Sequence, residues 1–310
     1  MSKTHISHKQ NTLRWTKRLL FGLAATIGTT LSAIAAQAVT LNAGDILVAD
    51  FNAFGGSGGV IRVDPTTGAQ TEVSSNQFFD FPRDITLDTS GNILVADAGA
   101  FDERGGVIRV DPTTGVQTEV SSGGSFINPN GITLDASGNI IVSDGGRPSG
   151  GSALFRVDPI TGAQTTVSSG FAPLSGNAVE ASGDILVAEL GDLTRVDPVT
   201  GEQTTFSGRE AGGKGLLVDP LDIALEANGD IVVADPLAFG GSGGVIRVDP
   251  ITGEQNLVSS NQFFVDPVSI AVVPIPEPSS ILGLLTFGAF GVGAIMKRKL
   301  IPSCKQSYKQ

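Results

Sequence analysis

Short apolar runs rich in β-branched residues recur through the middle of the chain, each ended by Gly, Pro, Asn or Asp. The phrase Gly44-Asp-Ile-Leu-Val-Ala-Asp50 returns at Gly91–Asp97, Gly138–Asp144, Gly183–Glu189 and Gly229–Asp235, at spacings of 47, 47, 45 and 46 residues. A second phrase, Ile61-Arg-Val-Asp-Pro-Thr-Thr-Gly68, returns with its arginine at Arg109, Arg156, Arg195 and Arg247. A third, Gln70-Thr-Glu-Val-Ser-Ser75, returns at Gln117, Gln164, Gln203 and Gln255. A fourth, Ile85-Thr-Leu-Asp88, has counterparts at Ile132, Asn177, Ile223 and Ile270. Runs of this length and composition, bounded by turn formers, predict strands. No stretch shows the apolar period of a capped helix.

The turns support the same expectation. In Asp88-Thr-Ser-Gly91-Asn92 the glycine can take the positive φ that a short hairpin demands. In Asp64-Pro65-Thr-Thr-Gly68 the proline presets φ at the second turn position, and the glycine supplies a left-handed residue. Four strands in a unit of about 47 residues match one blade of a β-propeller. Residues 39–273 hold five such units, so the expected fold is all-β with five four-stranded blades. Six blades, one of them irregular, is the alternative. Either Val39–Leu41 or Ile270–Val272 can complete the first blade, and the later strand is expected to close the ring beside Ile46–Ala49. An unclosed ring would leave a strand edge unpaired and a blade face bare.

Composition narrows the chemistry. Residues 39–275 carry ten basic and thirty acidic side chains, a balance that repels phosphate backbones and excludes nucleic acid as the natural partner. The same stretch has no His or Cys: His5 and His8 precede it, and Cys304 follows. Histidine general bases, cysteine nucleophiles and His/Cys zinc sites are thereby removed from the body.

The two ends read as addresses. Basic residues from Lys3 to Arg18 precede an apolar run, Leu19 to Ala36, and Ala36-Gln37-Ala38 offers a cleavage site, so residues 1–38 form a signal peptide that exports the chain. At the other end Pro276-Glu277-Pro278 is followed by an apolar segment, about 279–296, and then Lys297-Arg298-Lys299. The apolar length is at the lower limit for a membrane helix, and the basic cluster would remain cytoplasmic. This order resembles the PEP-CTERM sorting signal of Gram-negative bacteria and cyanobacteria. The resemblance implies that residues 274–310 present the chain to an exosortase-type enzyme, anchored first in the membrane, then passed to the cell surface or extracellular matrix. Leu300–Gln310 is an extension beyond the usual end of that signal.

If the first strand of each blade runs down, the two invariant turn types lie at the bottom, and the connections of varying sequence and length lie at the top. Rigid scaffolds carry function on variable loops, so the top face is the expected binding face for an extracellular polysaccharide or protein. Asp50, Asp97, Asp144, Glu189 and Asp235 end the second strands there. As oxygen-only ligands they would suit Ca²⁺, although no cofactor is required; the alternative is that each accepts backbone N–H groups of its loop or pairs with the repeated arginine. The arginines recur in every unit, as structural pairing requires. Gly208–Gly215 lacks the Ser/Thr and following helix of a P-loop, and Gly55-Gly-Ser-Gly58 lacks the aspartate of a calcium nonapeptide repeat.

The phrases resemble NHL-repeat and senescence-marker/gluconolactonase propellers, most closely at Pro129-Asn130-Gly131 through Asp144. For the lactonase branch the resemblance implies a divalent metal at the channel mouth held by Asn and acidic residues. Only Asn130 falls on that motif, and Arg83, Leu174, Leu221 and Val268 hold the places where the other ligands would be expected. A surface or matrix binding protein is therefore the leading expectation, with a metal-dependent lactonase or hydrolase as the alternative.

Overall fold

The structure, a computed structural model, describes residues 40–42, 44–146, 151–208, 215–260, 267 and 269–270. Residues 1–38, expected to form a signal peptide, and the apolar segment about 279–296 lie outside the described residues. Among the described residues no helix is long and apolar enough to cross a membrane.

Five antiparallel sheets follow one another along the chain. Blade one holds β1 (Ile46–Asp50), β2 (Gly59–Val63) and β3 (Gln70–Ser75). Blade two holds β4 (Pro82–Leu87), β5 (Ile93–Asp97), β6 (Gly106–Val110) and β7 (Gln117–Ser122). Blade three holds β8 (Pro129–Leu134), β9 (Ile140–Asp144), β10 (Ser152–Val157) and β11 (Gln164–Phe171). Blade four holds β12 (Leu174–Val179), β13 (Ile185–Glu189), β14 (Asp192–Val196) and β15 (Gln203–Gly208). Blade five holds β16 (Asp222–Leu225), β17 (Ile231–Asp235), β18 (Gly244–Val248) and β19 (Gln255–Ser260). Strand order within each sheet is sequential, as meanders require; four sheets have the expected four strands, and among the described residues blade one has three.

The apolar runs become strands because alternate side chains enter two different cores. On β5, Ile93 and Val95 pack with Val60 and Val73 of blade one, whereas Leu94 and Ala96 pack with Ile132 and Ile140 of blade three. Among the described residues four apolar clusters result, one between each pair of successive blades. Each fully buried Ile, Leu or Val contributes roughly 1.5–3 kcal/mol, so the blades stabilise one another more than themselves.

The repeated polar phrases act between and within blades. The glutamine that starts the outer strand of blades two to five reaches back to the previous blade: Gln117 Nε2 donates to Ser74 Oγ at 2.9 Å, Gln164 to Ser121 at 3.0 Å, Gln203 to Ser168 at 2.9 Å and Gln255 to Ser207 at 2.9 Å. Each serine in turn donates to a turn carbonyl of the following blade, at Gly115, Gly162, Gly201 or Gly253. Glycine is needed there because a Cβ on Gly115 would stand 2.5 Å from the Val73 carbonyl oxygen. The repeated arginines pair with the acid that opens the inner hairpin of their own blade: Arg195 with Glu180 and Arg247 with Glu226 at 2.5 Å, and Arg109 with Asp88 and Arg156 with Asp135 at 3.4 Å. Arg62 pairs instead with Asp45, the residue just before β1, because Leu41 stands at the place of Asp88 in the first unit.

Strand register corrects one expected correspondence. β12 pairs Leu174 with Glu189 and Asn177 with Val187, across the same bulge that pairs Pro129 with Asp144 and Ile132 with Val142. Ser175, rather than Leu174, therefore matches Asn130. The bulge is common to both strands, and the spacing of 45 residues between these two units sets the match.

Candidate functional site

The top face is built from the connections that leave the second strands and those that enter the first. Each strand-end carboxylate ties these two connections together. Asp97 Oδ1 accepts the backbone N–H groups of Phe81, Gly99 and Ala100, each at 2.9 Å, while Oδ2 accepts Asp80 N–H at 3.0 Å. Asp144 accepts Ile127, Asn128 and Gly146, and Asp235 accepts Val218, Asp219, Leu237 and Ala238. Asp50 holds Asn52 and Ala53, and Glu189 holds Ala172. Burial raises the Asp97 and Asp144 carboxyls above the ordinary range, against the lowering effect of those N–H groups. The five residues thus face their own loops. Among the described residues no group of three His, Cys, Asp or Glu side chains is placed to hold a metal ion. Asn130 turns to blade four, where Nδ2 donates to the Leu174 carbonyl at 2.8 Å.

The Gly-rich connections have a defined shape. Ala53–Gly56, Ala100–Glu103 and Ala238–Gly241 are single turns in which Phe54, Phe101 and Phe239 take φ of 53°, 58° and 55°. Each phenylalanine ring lies against the glycine that starts the next strand, at Gly59, Gly106 or Gly244, where a Cβ would fall about 2.7 Å from the ring. Strain in the left-handed region is offset by this contact and by the aspartate anchoring the turn.

Two groups, one on the loop face and one on the inner strands, break the repeat. On the first, Phe51 and Phe81 stack with centroids 5.1 Å apart and planes 18° apart, and the Arg83 guanidinium lies 4.9 Å from the Phe81 centroid. Phe51 and Phe81 are each 40% exposed, unlike the buried Phe79. Beside them, Phe78 and Phe101 sit 4.9 Å apart on the wall of a cleft of about 660 Å³ that Asp80, Asp102, Glu103 and Arg104 also line. Phe78-Phe79 is thus divided, Phe79 going to the core and Phe78 to the cleft, while Phe263-Phe264 lies outside the described residues.

The second group is a pair of inner-strand carboxylates, Asp84 on β4 and Asp222 on β16. Asp84 accepts the N–H of Ile132 at 2.7 Å and of Ile85 at 2.7 Å; Asp222 accepts Ser269 Oγ at 2.6 Å and the N–H of Ile270 at 2.8 Å. Crowding by protein, and secondarily the charge of Asp222, pushes the Asp84 carboxyl up to about 7. Asp222 is also raised, chiefly by burial. Blades three and four have Gly131 and Gly176 at this register, where a Cβ would meet the next inner strand. Sequence reasoning overlooked these aspartates because they directly precede the fourth phrase. The signal was present: Asp84-Ile85 and Asp222-Ile223 differ from Gly131-Ile132 and Gly176-Asn177 at that one place.

Neither a known protein family nor a curated protein matches the sequence. Solved structures do match in shape. A chain of the nidogen/laminin complex aligns with a TM-score of 0.57 at 14% identity, over 70% of this chain and 77% of that one. Virginiamycin B lyase from Staphylococcus aureus aligns with a TM-score of 0.50 at 13% identity, over 71% and 69%. A Bacteroides thetaiotaomicron protein of unknown function aligns with a TM-score of 0.57 at 13% identity, over 79% and 66%. Likenesses at this identity speak to the scaffold and leave activity to the residues. Taken with the five sequential meanders and the apolar cores between them, they establish the chain as a five-bladed β-propeller.

Proposed function

We propose that this chain is an exported propeller that serves as a binding or scaffold module at the cell surface or in the extracellular matrix. In this reading residues 1–38 direct export, and the segment from Pro276 is handed to an exosortase-type enzyme. The loop face then grips a protein or polysaccharide. The observation that carries it is the exposed Phe51–Phe81–Arg83 group. It belongs to none of the repeated phrases, so the scaffold does not require it, and exposed aromatic rings beside an arginine are typical anchors of binding surfaces. A metal-dependent lactonase has less support, because Asn130 donates to the Leu174 carbonyl and Arg83, Ser175 and Leu221 hold the equivalent places.

Sedimentation of the purified exported protein with extracellular matrix from the cells that make it tests this reading. Phe81→Ala combined with Arg83→Ala should weaken binding tenfold or more while leaving the unfolding temperature nearly unchanged. Undiminished binding by that variant would place the contact elsewhere and overturn the assignment of the loop face.

A further inference from the structure

The first and last blades carry the two unused halves of a fifth staple. At the four interfaces between successive blades, a glutamine, a serine and a turn glycine interlock. The same three residue types are present once more, in the same phrases: Gln70 and Gly68 on blade one, Ser259 on blade five. Among the described residues none of them takes part in such a staple. Gln70 and Ser259 are exposed, with no side-chain hydrogen bond among the described residues, and a Cβ on Gly68 would meet nothing within 4 Å.

The apolar surface around them is bare to match. Ile46 and Val48 of β1 are 50% and 38% exposed, whereas their equivalents Ile93 and Val95 are 0% exposed. These are the positions that face the preceding blade, which for blade one can only be blade five. On the other side Val258 is 45% exposed, against 4% for the equivalent Val73.

Near the axis the chain has already begun this closure. Pro267 stands over Gly243 as Pro82 stands over Gly58 and Pro129 over Gly105. Asp222 holds Ile270 N–H as Asp84 holds Ile132 N–H. Pro267, Ser269 and Ile270 therefore occupy, against blade five, the register of a following inner strand, the one that blade one lacks.

We propose that blade five of the same chain docks on blade one, with Gln70 Nε2 donating to Ser259 Oγ and Ser259 Oγ to the Gly68 carbonyl, so that the ring is fastened at its rim by side chains. Docking within one chain is favoured because both halves are tethered at high effective concentration. The competing occupant is blade five of a second copy, and such a head-to-tail contact would propagate into filaments.

Cross-linking separates these outcomes. Gln70→Cys with Ser259→Cys, in a full-length Cys304→Ser chain, would be treated with a short bis-maleimide, beside a Ser74→Cys and Gln117→Cys reference pair. The proposal expects a bridged monomer at a yield comparable to the reference. Dimers and a ladder, or no bridge where the reference forms one, would overturn it. If the cysteine pair does not fold, the thermal midpoint of Gln70→Ala decides: it should fall about as far as that of Gln117→Ala, and an unchanged midpoint would overturn the proposal.

Discussion

Gly162 and Gly138 both have positive φ, 70° and 81°, yet they face different surroundings. A Cβ on Gly162 would overlap the Val120 carbonyl oxygen of the neighbouring blade, whereas one on Gly138 would meet nothing within 4 Å. Gly138→Ala should therefore cost about 1 kcal/mol, the price of left-handed backbone, and Gly162→Ala at least about twice that, read from urea denaturation. Equal losses would mean that the close approach between blades is unimportant. A second residue-scale expectation concerns Asp84. Its carboxyl, at about 7, lies above the ordinary value near 4 of an unfolded aspartate, so the folded state binds the extra proton. The stability this contributes is complete below about pH 4 and is lost as pH rises to about 7. Asp84→Asn should flatten that part of the stability profile. Asp64, Asp111, Asp158, Asp197 and Asp249 act in the opposite sense: backbone N–H groups of their own turns hold them below the usual range, and their contribution is lost as pH falls below about 4.

At the scale of elements, much was legible because each phrase has one physical task. The Asp-Pro-x-Thr-Gly phrase reads as a turn and is one, with Asp158 Oδ1 accepting Ile160 and Thr161 N–H at 2.9 and 2.8 Å. The Gly44-type phrase reads as a strand and gives β1, β5, β9, β13 and β17. The task of the glutamine phrase was not legible, because its partner lies some forty residues away in sequence, on another sheet. Nor was the left-handed turn at Ala100–Glu103, where Phe101, Asp102 and Glu103 all take positive φ and only tertiary contact selects that conformation. The strand-end carboxylates were recognised as a set; that backbone N–H groups fill them depends on two loops meeting. The Phe51–Phe81–Arg83 group escaped notice for the converse reason, since residues outside a repeat leave no pattern to follow.

For the whole molecule the two kinds of position divide the work. Recurring residues hold a blade to its neighbour, as the glutamines and serines do, or to itself, as the arginine–acid pairs do, and the departures Phe51, Phe81, Arg83, Asp84 and Asp222 lie on the loop face and the inner strands. Blades joined this way should unfold as a unit, because removing any of blades two to four bares the apolar faces of two neighbours. The most direct test of the account is a double-mutant cycle on Gln117→Ala and Ser74→Ala, followed by denaturant unfolding. Side chains that work as a staple between blades one and two predict a coupling of about 1 kcal/mol or more. Losses that simply add, within about 0.3–0.5 kcal/mol, would show that the recurring polar phrases do not bind the blades together and would contradict the account.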